Sequence, residues 1–235
     1  MENGASTNDD RPTLDPPGSI AVVGAGPFGV EAALYGRYLG YNVCLIEANG
    51  VACSLEDARE NAIPILPDRC ISPLAKSALA AQNPDAADQR LPLTIGEWID
   101  WVWNPLLETD LLRGRLRCPL AVVSAGFADA DDSEHRPTGD GESSTGDVPP
   151  DFRLGFGDGT SDDFEAVILA TGAGESGISH PFSAETDYWF ELHAPDTGDA
   201  ESDYWDGLKQ IVRVFASLGG REDLDLYRPL RGRDE

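Results

Sequence analysis

Apolar and polar positions along this chain fall into a few distinct rhythms. Ile20-Ala21-Val22-Val23 is an uninterrupted apolar run of strand length, Val30 to Leu39 reads as a helix, and Val43-Cys44-Leu45-Ile46 is a second apolar run. Strand, helix and strand in under 30 residues predict a βαβ unit. Residues 51 to 117 read as mostly helical and irregular, with Trp98, Trp101, Val102 and Leu106 spaced along one helix face. Leu120 to Phe127 is β-rich, and Phe152, Leu154 and Phe156 alternate with other residues. Asp158-Gly159 marks a hairpin turn and Phe164 to Ala170 is a further apolar strand, so this region predicts a β-meander. Leu208, Ile211, Val212, Phe215 and Leu218 recur at helical spacing ahead of Gly219-Gly220, which predicts a C-terminal helix packed on the core.

Between these elements lie polar stretches. Residues 1–18 hold three prolines and little to bury, and are expected to form a disordered tail. In Ala128 to Asp151 eight acids face one arginine among Ser, Thr, Gly and Pro, the composition of a disordered insert (128–151) within the meander. Residues 183–206 are acidic and aromatic without a clear period. One domain is expected over 19–235.

The chemistry concentrates where the first strand meets the first helix. Gly24-Ala25-Gly26-Pro27-Phe28-Gly29 fits G-x-G-x-x-G in the strand-to-helix context that raises this pattern above chance. Gly24 permits the tight turn, Gly26 lets a pyrophosphate approach the backbone, and Gly29 lets the helix pack close to the sheet. The helix N-terminus then offers free N–H groups and partial positive charge to phosphate. Glu47, 23 residues after Gly24, ends the second strand, where a carboxylate can accept both hydroxyls of an adenosine ribose and repel a 2′-phosphate. The fold class is therefore α/β, a Rossmann-like FAD/NAD(P)-binding fold with parallel sheet, β-meander and C-terminal helix. Gly172 to Gly177 also fits the glycine pattern. There, however, Pro181 would break the required helix, and too few residues precede Glu191 for a crossover.

Composition narrows the partners. With 41% hydrophobic residues the chain can bury a core, and its net charge of -25 sets aside nucleic acid and anionic membranes. The same field opposes an anionic cofactor, which must then be held by local backbone donors. Cys44, Cys53, Cys70 and Cys118 form no C-x-x-C pair, so neither a metal site nor a redox disulfide is read from them. With no apolar segment of about 18 residues and no export signal, a cytoplasmic location is expected.

Ile20 to Glu47, together with the strand ending Ala170-Thr171-Gly172, resembles the flavoproteins with two dinucleotide-binding domains: the pyridine nucleotide-disulfide oxidoreductases and flavin-containing monooxygenases. The resemblance implies that Gly24, Ala25, Gly26, Pro27, Phe28, Gly29 and Glu47 hold the ADP of FAD. It places Val122 or Val123 near the adenine, and Ala170, Thr171 and Gly172 by the cofactor at the border of the meander. Its strands would be Leu120 to Ser124, Phe152 to Phe156 and Phe164 to Ala170. Cys70-Ile71-Ser72-Pro73-Leu74 and Gly207 to Tyr227 look like the middle and the closing helix of uncharacterised members. Gly198-Asp199 matches the family's G-D motif, whose acid touches the ribityl chain, but its acidic surroundings fit a solvated loop better.

In that family an NAD(P)H-binding domain sits between the A-T-G turn and the closing helix, and here only about 35 residues fill the interval. The resemblance thus implies a flavoprotein oxidoreductase fed by a substrate or a partner reductase. The alternatives are a non-catalytic dinucleotide-binding descendant and an NAD-binding Rossmann protein. No catalytic residue is identified: His135 lies in the insert, and His180 and His193 flank the acidic segment as surface histidines.

Overall fold

The computed structural model describes residues 12–82, 90–128, 150–172, 177–193 and 197–228. It opens with strand β1 (Ser19–Val23), helix α1 (Pro27–Tyr38) and strand β2 (Asn42–Ile46), followed by a 3-10 turn at Cys53–Ala58 and helix α2 (Pro73–Gln82). Helix α3 (Ile95–Trp98) runs through a π-helical turn, Ile99–Trp103, into α4 (Asn104–Leu107). Strands β3 (Leu116–Arg117), β4 (Val122–Phe127), β5 (Phe152–Phe156), β6 (Ser161–Phe164), β7 (Ala166–Leu169) and β8 (Trp189–Glu191) come next, and α5 (Ala200–Gly219) closes the order.

Five strands form a parallel sheet in the order β3-β2-β1-β7-β8. This is the Rossmann-like α/β arrangement. Ile20, Ala21 and Val22 of β1 and Ala166, Val167 and Ile168 of β7 are fully buried, as central parallel strands covered on both faces require. Val23 is level with Ile46 on one side and Leu169 on the other, so the carboxyl ends of β1, β2 and β7 lie side by side. On one face α5 crosses α1: the rings of Tyr35 and Phe215 stack at 5.1 Å. A Cβ at Gly207 would fall 2.2 Å from the Phe28 ring, so the two helices meet backbone to side chain. β4, β5 and β6 form a separate antiparallel meander.

Several expectations are corrected. Residues 12–18 are no tail: Leu14 is buried, its N–H donates to Leu218 O at 2.8 Å and its carbonyl accepts the Tyr41 hydroxyl at 2.8 Å. Trp101 is exposed and Trp103 buried in its place, because the π-helical turn adds a residue, with Asn104 N–H bonding Ile99 O, and shifts the inward face. The third meander strand is the polar Ser161–Phe164, whereas Ala166–Leu169 leaves the meander to join the main sheet beside β1. Between them Glu165 accepts both the backbone N–H and the hydroxyl of Ser19, which locks the change of sheet. α5 begins at Ala200, well before Leu208, with Asp199 as its cap. Of the insert only its ends lie among the described residues, joined by Ala128 N–H to Asp151 O at 2.7 Å. No helix of the described residues is long and apolar enough to cross a membrane.

Candidate functional site

The three glycines of the first loop do three different things. Gly24 has φ +105°, a conformation that favours glycine, and a Cβ there would lie 2.6 Å from Ala170 O. At Gly29 an added Cβ would lie 1.8 Å from Gly24 O, so the helix reaches the loop only because this position has no side chain. Gly26 differs from both. Its φ of -71° suits any residue, and nothing lies within 4 Å of an added Cβ. Neither backbone geometry nor packing demands a glycine there. The space in front of it is the open part of a cleft of about 630 Å³, within the range of small-molecule and cofactor sites. Pro27 stands at the start of α1, where the missing N–H costs nothing. The backbone N–H groups of Gly26, Phe28 and Gly29 meet no acceptor among the described residues.

Glu47 is buried at the end of β2. One carboxylate oxygen accepts the Ala25 N–H at 2.7 Å and the other the Asn49 N–H at 2.8 Å, which fixes the carboxylate against the loop while each oxygen keeps a lone pair for a further donor. Leu120 N–H bonds Glu47 O at 2.7 Å and brings the start of the meander to the same edge. Val122 lines the cleft; Val123 is outside it and exposed. Ala170, Thr171 and Gly172 also line it, with Gly172 at φ +89°. Of the residues singled out in sequence, Gly24, Gly26, Pro27, Phe28, Glu47, Val122, Ala170, Thr171 and Gly172 all face this one cleft. Ala25 and Gly29 stand behind it, as the donor to Glu47 and the helix contact.

The rest of the cleft comes from segments that sequence reasoning left blank. Leu55, Ile65, Trp98 and Tyr204 give it an apolar, aromatic half. Tyr204 stacks on Phe28 with centroids 6.1 Å apart and meets Trp98 edge-on at 5.9 Å. Ala52, in a left-handed conformation at φ 51°, bonds Ala25 O at 2.9 Å and ties this half to the glycine loop. Among the described residues Glu47 and Asp203 are the charged ones lining the cleft, and no described lysine, arginine or histidine lines it. An anionic ligand would therefore depend on backbone N–H groups and the α1 dipole.

Behind the Tyr204 ring sits a polar node that no motif announced. Glu31 of α1 is fully buried and accepts Ser72 Oγ at 3.0 Å, Tyr204 OH at 3.3 Å and Tyr227 OH at 3.3 Å. Burial pushes its carboxyl up to about 7, against the opposing effect of the three hydroxyl donors. Burial likewise holds the Tyr204 and Tyr227 phenols well above their usual range. The visible hint was a lone acid inside the apolar stretch Val30 to Tyr35, every residue of which is buried.

The remaining candidates lie elsewhere. Gly198 and Asp199 are exposed in the turn before α5, as the solvated-loop reading expects, and the Asp199 carboxylate accepts the Glu201 and Ser202 N–H groups as the cap of that helix. His180 is half-buried against the rings of Phe182 and Trp189, and His193 is exposed. Residues 177–182 hold no helix after the second glycine pattern, whose centre, 173–176, lies outside the described residues. His135 lies outside them too. Among the described residues no group of three or more His, Cys, Asp or Glu could hold a metal.

The sequence matches no protein-family profile and no curated protein. Solved structures similar to part of the chain include OTEMO in complex with FAD and NADP, at 16% identity and a TM-score of 0.45 over 68% of this chain and 26% of that one. An oxidized steroid monooxygenase bound to NADP aligns at 18% identity and 0.46 over 66% and 26%. A flavin-containing monooxygenase from Stenotrophomonas maltophilia aligns at 18% and 0.39 over 68% and 39%. The chain thus spans about a quarter of the length of the first of these proteins.

Proposed function

We propose that this chain binds FAD and forms the flavin-binding part of an oxidoreductase whose electron donor, a substrate or a partner reductase, comes from outside it. The observation that carries the reading is Gly26: a glycine that neither conformation nor packing requires, facing a cleft between N–H groups that meet no acceptor among the described residues and a fixed carboxylate. A pyrophosphate seated in this cleft would give the position a use for glycine, because a Cβ there would stand between the phosphates and the backbone N–H groups. Gly26 and Phe28 would hold the phosphates through their backbone, with Gly29 behind them letting the helix approach, Glu47 would hold the ribose, and Val122 with Leu120 the adenine. The aromatic half with Trp98 and Tyr204 would take the isoalloxazine, which supplies the redox chemistry when bound. Glu47 disfavours a 2′-phosphate and so favours FAD or NAD over NADP.

The test is the absorbance spectrum of the purified protein, followed by calorimetric titration with FAD and with NAD. FAD is expected to bind one per chain, and Gly26→Val to weaken it by about a hundredfold or more, or about 2.7 kcal/mol. Binding of NAD alone would replace the cofactor, and unchanged FAD affinity in Gly26→Val would remove the glycine loop from the site. Tight FAD that no donor reduces would favour a dinucleotide-binding protein without turnover.

A further inference from the structure

We propose that Glu31 is a positioning residue for the cleft: it fixes the Tyr204 ring in the cleft wall and binds a proton whose release weakens dinucleotide binding, so that affinity falls as pH rises. The proposal rests on the dinucleotide reading above and adds its regulation.

Three separate parts of the chain converge on this carboxylate. Glu31 lies in α1, just past the glycine loop; Ser72 directly precedes α2, where its Oγ also accepts the Ala75 N–H at 3.0 Å. Tyr204 lies in the first part of α5, and Tyr227 follows that helix. The Tyr204 hydroxyl is spent on Glu31 while the same residue lines the cleft against Phe28 and Trp98. A change at the carboxylate therefore reaches the cleft through one rigid ring.

The titratable groups around Glu31 are the phenols of Tyr204 and Tyr227, with Tyr35 of α1 beside Tyr227 and the Cys70 thiol near Tyr204. Burial pushes the Cys70 thiol up to about 11. On the outer surface α5 carries Glu201, paired with Arg69. No lysine or arginine of the described residues bonds the Glu31 carboxylate. Its ionised form is therefore compensated by hydroxyl donors alone, and it titrates near neutrality.

Glu31 follows Gly26 by five residues, about 7.5 Å along the helix axis. A phosphate held at the N-terminus of α1 and an ionised Glu31 are like charges in a partly dry environment, so the ligand favours the protonated carboxyl. By linkage, binding takes up a fraction of a proton from solvent, and proton release at Glu31 lowers affinity by the same factor. A separation near 10 Å at an effective dielectric of about 20 makes that factor on the order of tenfold.

The experiment titrates the full chain with FAD at pH 6.0, 7.0 and 8.5, for wild type and Glu31→Gln. In parallel, the Glu31 carboxyl carbon is followed by NMR with and without FAD. Wild type should lose on the order of tenfold in affinity across this range, whereas Glu31→Gln should stay near its low-pH value throughout. The Glu31 midpoint should lie near neutrality in the free chain and rise on saturation. Glu47, Cys53 and Asp203, which also line the cleft, are common to both proteins and cancel in the comparison. Equal pH slopes in the two proteins, or a midpoint that FAD leaves unmoved, would overturn the coupling while leaving FAD binding intact. FAD failing to bind at any pH, with Glu31 titrating near neutrality, would instead overturn the dinucleotide reading and the coupling with it. Should Glu31→Gln not fold, the two wild-type midpoints decide alone.

Discussion

At the scale of single residues, the glycine loop separates what the fold needs from what a ligand needs. Gly29→Ala would drive a Cβ into the Gly24 carbonyl, 1.8 Å away, a backbone clash no side-chain rotation relieves. It should cost about 3 kcal/mol or more and lower the melting temperature by about 6 °C or more. Gly26→Ala, with open space before it, should change the melting temperature by less than about 2 °C. Calorimetry on the two variants checks the contrast. Glu31 makes a second prediction. Its folded carboxyl, at about 7, is raised above the ordinary 4.5, so the folded state holds a proton that the unfolded chain releases. Stability from this group is present below about 4.5, falls as pH rises to about 7, by about 3 kcal/mol in all, and is flat above. Glu31→Gln removes that slope, so its melting temperature relative to wild type should rise between pH 5.5 and pH 8. A difference that stays constant with pH would refute the assignment.

At the scale of elements, α5 has a deliberate start. The Asp199 carboxylate accepts the N–H groups of Glu201 and Ser202, and Glu201 and Asp203 add negative charge to the first turn, where the helix dipole favours it. Asp199→Ala should cost about 1 kcal/mol, a melting temperature lower by about 2–4 °C, and Asp199→Asn should recover most of it. Thermal denaturation of the two variants measures this. The acids that cap α5 also hid it: Ala200 to Asp206 carries too few apolar residues to display a helical period. A related effect hid β6, whose Ser-Asp-Asp-Phe sequence has little strand propensity. It is a strand because it pairs with β5, where Arg153 of β5 bonds Asp163 at 2.8 Å.

At the scale of the whole molecule, the cleft meets the N-terminus of α1 in a chain of net charge -25. The described residues between Gly172 and α5 form β8 and irregular chain, with no helix to receive a second pyrophosphate. Hydride transfer needs the nicotinamide held against the flavin, and such positioning accounts for much of the rate. The FAD-loaded chain should therefore be reduced by excess NADH or NADPH more slowly than about 1 per second, the lower end of usual turnover. Anaerobic stopped-flow mixing reads this directly. Complete bleaching within about a second would require a second nucleotide site, for which Gly172 to Gly177 is the sequence candidate.

The βαβ unit, the glycine loop and Glu47 were legible in the sequence because their chemistry is local: consecutive backbone groups turn, cap and approach, and spacing alone expresses that. The alternation of Phe152, Leu154 and Phe156 likewise reported a strand directly. What surrounds the loop was decided by tertiary structure. β7 settles beside β1 across 146 residues of chain, secured by Glu165 on Ser19. Trp98 and Tyr204 enter the cleft from distant helices, and Ser72, Tyr204 and Tyr227 converge on Glu31. Such partners carry no mutual spacing, since hydrogen-bond satisfaction and packing select them only when the whole core closes.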